Sequence, residues 1–335
     1  MPKAYPPLNL PPIVFYLPKE ADLHEELPTH SETFWQGFNR GIYCWTLKTY
    51  LYLKERDFPC QLSAAFPSEG IVLAHRDCLP DTLPSPSPNL LLICLKAERD
   101  PHPAARIHIV QNPQECRTLS SIWNPHFIPL WHQQGLLPRD PERGDRFENI
   151  AFFGNPRNLS AEFHQQAWIE DLKNLGLNWF VKSSDCWHDY RDIDATFSVR
   201  SLKNKKFSSK PATKLYNSWL AGVPAILGRE SAFRAERKSE LDYVEIKSYS
   251  EAIAALTHLR ENPELRRAMI ERGKLRSQEF LPENIVHRWE SFLLETAVPA
   301  YQHWQTLSSF QRKKLYRESF VRLKAMRLRA RFTEE

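Results

Sequence analysis

The stretch KPATKLYNSWLAGVPAILGRES, residues 210–231, joins a basic loop, an amphipathic segment, a Gly-Val-Pro turn and a short apolar run. The apolar side chains of 213–221 recur at helical spacing, which predicts a helix that packs one face on a sheet. Gly222 follows directly and is typical of a left-handed helix end. A helix that turns at once into the predicted strand 224–228 is the repeating unit of a parallel α/β sheet.

Short apolar runs bounded by turn residues recur on both sides of this stretch and predict further buried strands. They are 13–17, 70–75, 90–95 and 106–111, then 149–154, 178–182, 195–200 and 243–247. Helical spacing fills several of the gaps, including one broken or two successive helices in 31–56 and a helix in about 160–175. The alternation predicts an α/β fold with two Rossmann-like, doubly wound parallel-sheet domains.

The polar segment GLLPRDPERGD separates the two series of strands and is the predicted domain boundary. We therefore expect an N-terminal domain over 1–140, a second domain over 146–282 and C-terminal helices over 283–335. Two helices precede the tail, the second opened by Asn262 as N-cap and by Pro263 at its first position.

The composition is that of a folded soluble protein, with 42% hydrophobic and 25% charged residues in 335. The six cysteines are scattered without a CxxC pair, which favours a reducing, cytoplasmic setting. His, Cys and acidic residues do not bunch at metal-ligand spacing, and no apolar run is long enough to cross a bilayer. We expect neither a metal site nor a transmembrane helix.

Polar residues and one glycine lie at or just after the ends of three predicted strands of the second domain. Gly154 and Arg157 follow the first, Arg200 ends the third, and Glu230 and Ser231 follow the strand within the quoted stretch. Because ligands of open parallel sheets bind beyond the carboxyl ends of the strands, these residues are candidates for a binding site. A glycine after a strand is also found in ordinary tight turns, so that interpretation stays open.

The run between Arg200 and the quoted helix contains no acid and faces either water or an anion. A solvated loop is the preferred interpretation for Lys203, Lys205 and Lys206. Lys210, Thr213 and Lys214 differ, because they lie near the start of the helix, where unpaired N–H groups and the helix dipole attract phosphate.

The segment KLYNSWLAGVPAILG resembles the donor-binding segment of GT-B glycosyltransferases, and PELRRAMIERG is similar to the helical segment that follows it in that superfamily. The resemblance covers about 149–280. Many retaining members carry a glutamate where this chain has Asn217. A closer local likeness is to fucosyltransferase-type sequences at Lys214, Leu215, Asn217, Ala221 and Gly222, although those sequences usually carry a glutamate where this chain has Thr213.

The resemblance implies a GT-B fold, with two domains facing across a cleft, and a hexosyltransferase-like activity that moves a sugar from a nucleotide-sugar donor. It implies no tightly bound metal or cofactor, so cations and amides would stabilise the leaving diphosphate. Arg157, Arg200, Lys210 and Lys214 are the candidate cations, and Glu230 is a candidate partner of the ribose hydroxyls or an ordinary surface acid.

An inverting reaction also needs a general base on the acceptor side. Asp22 and His75 are the candidates because they follow predicted strands of the first domain, although either is also an ordinary surface position. The sequence does not identify the sugar, the base or the acceptor, which is a glycan or a lipid-linked group on this hypothesis.

The tail SSFQRKKLYRESFVRLKAMRLRARF predicts a basic amphipathic helix that either packs back on the first domain or lies on anionic lipid.

Two rival functions stay open. One is a nucleic-acid-binding protein that uses the basic run and the basic tail, although aromatic side chains are not interleaved with the basic run as a strand-binding groove would require. The other is a nucleotide- or sugar-binding partner that keeps the fold without turnover.

Overall fold

The structure, a computed structural model, describes residues 10–18, 26–82 and 86–333, with side chains as far as Arg329. The chain forms two compact units. The first unit contains the described residues up to Gln111, residues Glu115–Leu130 and the described residues from Ile285 onward. The second unit contains Asn112–Gln114 and Trp131–Asn284, so it is inserted into the sequence of the first.

The first unit contains a parallel sheet of six described strands in the order β2-β1-β3-β4-β5-β6. The strands are β1 (Ile13–Tyr16), β2 (Gln61–Ser63), β3 (Gly70–His75), β4 (Leu90–Leu95), β5 (Ile107–Val110) and β6 (Pro125–Phe127). The predicted broken helix is confirmed as a π-helical turn, Tyr43–Lys48, that continues into α1 (Thr49–Lys54). A short helix α2 (Glu115–Thr118) precedes β6.

The second unit contains a parallel sheet of five described strands in the order β11-β10-β9-β7-β8. The strands are β7 (Asn149–Phe153), β8 (Asn178–Lys182), β9 (Ala195–Ser198), β10 (Ala225–Leu227) and β11 (Val244–Glu245). The helices are α3 (Gln166–Asn174), α4 (Thr213–Ala221), α5 (Ser231–Glu236), α6 (Tyr249–Glu261) and α7 (Pro263–Ser277). The two parallel α/β units confirm the predicted fold class.

The core of the second unit is rich in aromatic side chains. Trp168, Phe163 and Phe197 are fully buried and meet with ring centroids 4.8–5.1 Å apart. Offset and edge contacts of this kind add to the free energy of burying the rings. This layer fixes β9, and therefore the loop that follows it, against α3.

Three more helices complete the first unit, and the first three residues of α8 still belong to the second: α8 (Pro282–Phe292), α9 (Val298–Thr306) and α10 (Ser309–Thr333). Within the first unit, the Trp289 ring lies 6.2 Å from that of Trp45, a buried residue of the π-helical turn. Trp304 Nε1 donates to the carbonyl of Ser87 at 2.8 Å, and Tyr301 Oη donates to that of Asn89 at 3.1 Å. Side chains from the end of the chain therefore cover the start of β4.

The predicted start of α7 is confirmed, with Asn262 as the N-cap residue and Pro263 at the first helical position. The Asn262 side chain, however, donates back to the carbonyl of His258 at 2.8 Å and gives no cap bond to α7. The edge strands β2 and β6 were not predicted, because each has only three residues and shows no buried apolar run. Within the described residues, no helix is long and apolar enough to cross a membrane.

Candidate functional site

The order of strands in the second unit creates a crevice at one point of its sheet. The chain passes from β7 to β8 on one side and then returns to β9 on the other side of β7. Loops that leave β7 and β9 therefore run in opposite directions, and ligands of open α/β sheets bind at such a switch point. The quoted helix α4 begins in the segment that follows β9.

Lys214 brings a cation to this point from the first turn of α4. Its Nζ donates to the carbonyl of Phe153, the last residue of β7, and lies 4.9 Å from the ring centroid of Phe152. Gly154 follows, and a Cβ there would lie only 2.7 Å from Lys214 Nζ. The absence of a side chain at Gly154 thus leaves the room that the lysine occupies.

Arg200 and Glu230 form a buried ion pair that joins the ends of β9 and β10. Arg200 Nε donates to Glu230 Oε2 at 2.9 Å, and the two side chains are 12% and 2% exposed. One atom of each group, Arg200 Nη1 and Glu230 Oε1, is buried without a hydrogen-bond partner. Burial raises the pKa of Glu230, while Arg200, Lys214 and Lys210 oppose that increase.

Unpartnered polar atoms of this kind are unusual in a folded interior, because each costs free energy unless a ligand or water pairs with it. Two hydroxyls add to them: Oγ1 of Thr213, the first residue of α4, and Oγ of Ser198, the last residue of β9. Donors, acceptors and a cation are therefore collected where the strands end, next to a helix N-terminus. This arrangement suits a polar, anionic ligand.

The structure brings together Gly154, Arg200, Lys214 and Glu230, with Lys210 close enough to influence the Glu230 carboxyl. Arg157 lies in the turn after β7 and is exposed, with its backbone N–H bonded to Asn155 Oδ1 at 3.0 Å.

Asn217 and Ser231 have structural partners in the second unit. Asn217 is buried, and its Oδ1 accepts the backbone N–H of Gln133 at 3.0 Å. Ser231 opens α5, where its N–H donates to the Lys206 carbonyl at 2.9 Å and its Oγ accepts from Asn112 Nδ2 at 2.9 Å. These bonds fasten the basic loop beside the site.

In the first unit, His75 ends β3 and is buried. Its Nδ1 accepts the backbone N–H of Asp77 at 3.2 Å, while its buried Nε2 lacks a partner. Burial lowers the pKa of His75 to about 4, with Asp77 opposing the shift. The ring is therefore neutral near pH 7 and caps the turn that follows. Its role as a base stays a prediction, and Asp22 lies outside the described residues.

Two residues of the candidate site were missed. Ser198 lies two positions before Arg200, inside the predicted strand 195–200, and its polar side chain near the end of that strand was the available signal. Asn112 follows β5 in sequence but belongs to the second unit, where it bonds Ser231. Only its polar character directly after a buried strand marked it. Across the described residues, no cluster of three or more His, Cys, Asp or Glu is arranged to hold a metal ion.

Comparison with solved structures finds weak similarities over much of the chain. Sucrose-phosphate synthase from Thermosynechococcus elongatus matches with a TM-score of 0.48 at 12% identity, covering 77% of this chain and 78% of that one. Anabaena HepE in complex with UDP matches with a TM-score of 0.48 at 12% identity, covering 75% and 90%. A match to the GtfA/B complex has a TM-score of 0.42 at 12% identity and covers 62% of this chain.

The chain spans about half, 53%, of the matched chain of the GtfA/B complex. No protein-family model matches the sequence, and no curated protein matches it either. The likeness to solved structures therefore describes the course of the backbone, and the chemistry of this chain has to be argued from its own residues.

Proposed function

We propose that the protein is a glycosyltransferase that moves a sugar from a nucleotide-sugar donor to a glycan or lipid-linked acceptor. The observation that carries the proposal is the cluster at the carboxyl ends of β7, β9 and β10. There Lys214, the N-terminus of α4 and the partly unpaired Arg200–Glu230 couple lie beside a glycine. The sequence resemblance of the same segment to GT-B donor sites supports it.

The cationic side of the cluster suits the leaving diphosphate. As the bond from sugar to phosphate breaks, negative charge develops on the departing nucleotide, and cations and N–H groups already in place lower the barrier. Lys214 and Arg200 lie at the cluster, and Lys210 and Arg157 are proposed to approach the phosphates from the loops around it. In this proposal protein cations, without a tightly bound metal, neutralise the diphosphate.

The acidic side of the cluster suits the ribose. Glu230 Oε1 is a buried acceptor without a donor, and a vicinal diol supplies O–H donors. Such bonds would satisfy an atom whose burial is otherwise unfavourable. Arg200 holds the other carboxylate oxygen and so fixes the direction of Oε1.

The first experiment is calorimetric titration of the full chain with nucleoside diphosphates and nucleotide sugars in the presence of a chelator. We expect one nucleotide to bind, and Lys214→Ala to weaken it by about 1.5–3 kcal/mol, the value of a charge-assisted hydrogen bond. Lys203→Ala is the matched control, because Lys203 is an exposed lysine of the neighbouring loop. Equal losses from the two variants, or no binding by wild type, would remove the donor-site assignment.

Turnover is tested next, by release of the nucleoside diphosphate with and without acceptors. Sugar transfer or donor hydrolysis supports the assignment as an enzyme. If Asp22 or His75 is the general base, Asp22→Asn or His75→Gln is expected to lower kcat by about 100-fold or more and to leave donor affinity unchanged. Donor binding without hydrolysis or transfer across many acceptors would instead favour the non-catalytic partner.

A further inference from the structure

Helix α10 has an inner and an outer face that differ in whether their charged side chains have partners within the fold. The inner face packs within the first unit and contains the buried side chains of Arg312, Ser319 and Leu323. Arg312 donates to the carbonyl of Leu307, and Arg327, at the border of the two faces, pairs with Asp100 at 2.8 Å. Cations on this side therefore have partners in the fold.

The outer face of α10 consists of six residues spaced alternately four and three apart, which places them on one line along the helix. They are Phe310, Lys314, Arg317, Val321, Lys324 and Leu328. The three apolar members are 76%, 65% and 55% exposed, in chain order. The line spans about 27 Å at 1.5 Å per residue. An exposed Phe, Val and Leu aligned on a helix mark a contact surface better than scattered apolar residues do.

The charge around this line is strongly positive. Over its 25 residues α10 carries nine lysines and arginines and one acid, Glu318. Glu318 lies beside the line, 4.0 Å from Lys314, in an exposed ion pair. Pairs of that kind contribute little net attraction in water. The outer face therefore presents apolar side chains within a field of cations.

A groove beside the outer face has the same dual character. It has a volume of about 490 Å³ and is lined by two cations, one acid and three apolar residues: Arg317, Arg322, Glu318, Ile122, Val321 and Ala325. Ser120 also lines it, 3.4 Å from Arg322 Nη2. Two guanidinium groups outnumber the single carboxylate, and with the apolar walls they suit a phosphate group that is attached to hydrocarbon.

We propose that the outer face of α10 docks on an anionic phospholipid surface. Lysine and arginine near such a surface are attracted to its charge, while Phe310, Val321 and Leu328 enter the boundary between head groups and acyl chains. Nucleic acid satisfies the cations but leaves the aligned apolar side chains in water. The proposal concerns the first unit alone and holds whether or not the second unit transfers sugar.

The test is co-sedimentation of the full chain with vesicles of phosphatidylcholine alone and of phosphatidylcholine mixed equally with phosphatidylglycerol. We expect binding to the anionic vesicles only, weakened by added salt. A charge variant, Lys314→Gln with Arg317→Gln and Lys324→Gln, is expected to weaken binding by about 100-fold. An apolar variant, Phe310→Ser with Val321→Ser and Leu328→Ser, is expected to lose binding while its thermal unfolding is unchanged, because all three side chains are exposed.

The control removes three exposed lysines from the second unit: Lys203→Gln, Lys205→Gln and Lys206→Gln. Retention of vesicle binding by this control supports docking through α10. The proposal is overturned if wild type does not bind anionic vesicles or if the control loses as much affinity as the charge variant. It is also overturned if the outer face binds something else. One such result is a wild-type dimer that dissociates in the apolar variant. The other is duplex nucleic acid that displaces the protein from vesicles and binds the apolar variant as tightly as wild type.

Discussion

The position of Lys214 depends on a neighbour that has no side chain. Its Nζ contacts the Phe153 carbonyl and the Phe152 ring, and it occupies the space beside the Gly154 Cα. The sequence placed Gly154 and Lys214 near the same edge of the sheet, because strand ends and helix starts can be read from local patterns. It did not show that the two touch, since that contact spans 60 residues and depends on tertiary packing.

Gly154→Ala is expected to weaken nucleotide binding nearly as much as Lys214→Ala, by about 1.5–3 kcal/mol. The new methyl group would meet Lys214 Nζ at 2.7 Å and Phe152 Cζ at 3.0 Å, so the flexible lysine moves away while the fold loses only about 1 kcal/mol. Calorimetry of both single variants and the double variant checks this. In the Lys214→Ala background, Gly154→Ala should cause no further loss of nucleotide affinity. If the losses of affinity in the two single variants add fully in the double variant, Gly154 affects binding independently of Lys214.

At the scale of elements, the predicted bounds agree best where apolar patterning and turn chemistry coincide. Helix α4 and strands β3, β4 and β8 have the bounds that the sequence predicted. Strand β11 is shorter than its prediction, because only two of the five predicted residues pair with β10. Pairing is a property of two segments, so the extent of an edge strand does not follow from one segment alone.

The end of α4 gives a test at this scale. Gly222 has φ 70° and ψ 38°, the left-handed conformation, and its N–H donates to the Trp219 carbonyl at 3.2 Å. A Cβ there meets nothing within 4 Å, so any cost of Gly222→Ala comes from the backbone. We expect the free energy of unfolding to fall by about 1 kcal/mol, and Gly222→Asn to cost less because asparagine tolerates this conformation better. Denaturant unfolding measures both, and equal costs would contradict a backbone origin.

Across the whole molecule, the two units differ in the groups that titrate between neutral and acid pH. In the first unit, His108 Nδ1 donates to the Trp123 carbonyl at 2.6 Å, and its Nε2 accepts the backbone N–H of His102 at 2.9 Å. Burial lowers the pKa of His108 to about 3 and that of His102 to about 4. In the second unit, burial alone would raise the pKa of Asp194, but hydrogen bonds led by that from Arg143 outweigh it and hold the pKa below 3.8.

We therefore expect the first unit to lose stability at a higher pH than the second. The folded-state pKa values of the two histidines lie below the unfolded value of 6.5, so the folded state keeps its full stability above pH 6.5 and loses it progressively as pH falls from 6.5 to the folded values. At pH 5 the loss is about 2 kcal/mol for each histidine. The Asp194 contribution persists until pH falls below about 4.

Hydrogen exchange at pH 7 and pH 5, corrected for the intrinsic rate, measures this difference. Amides of β5 in the first unit should lose protection at pH 5, while those of β7, beside Asp194, keep theirs. Loss of amide protection in β7 at a higher pH than in β5, or unchanged protection in β5 at pH 5, would contradict the assignment of neutral buried histidines.

The insertion of the second unit also affects the order in which the protein is made. A ribosome synthesises residues 131–281, the bulk of the second unit, before it synthesises α8, α9 and α10. The second unit thus has nearly all of its sequence while the first still lacks the helices that cover Trp45 and the start of β4. The first unit therefore begins to be synthesised before the second unit but completes its fold after it. Until the C-terminal helices are synthesised, the apolar surface that they cover is exposed to chaperones and to aggregation.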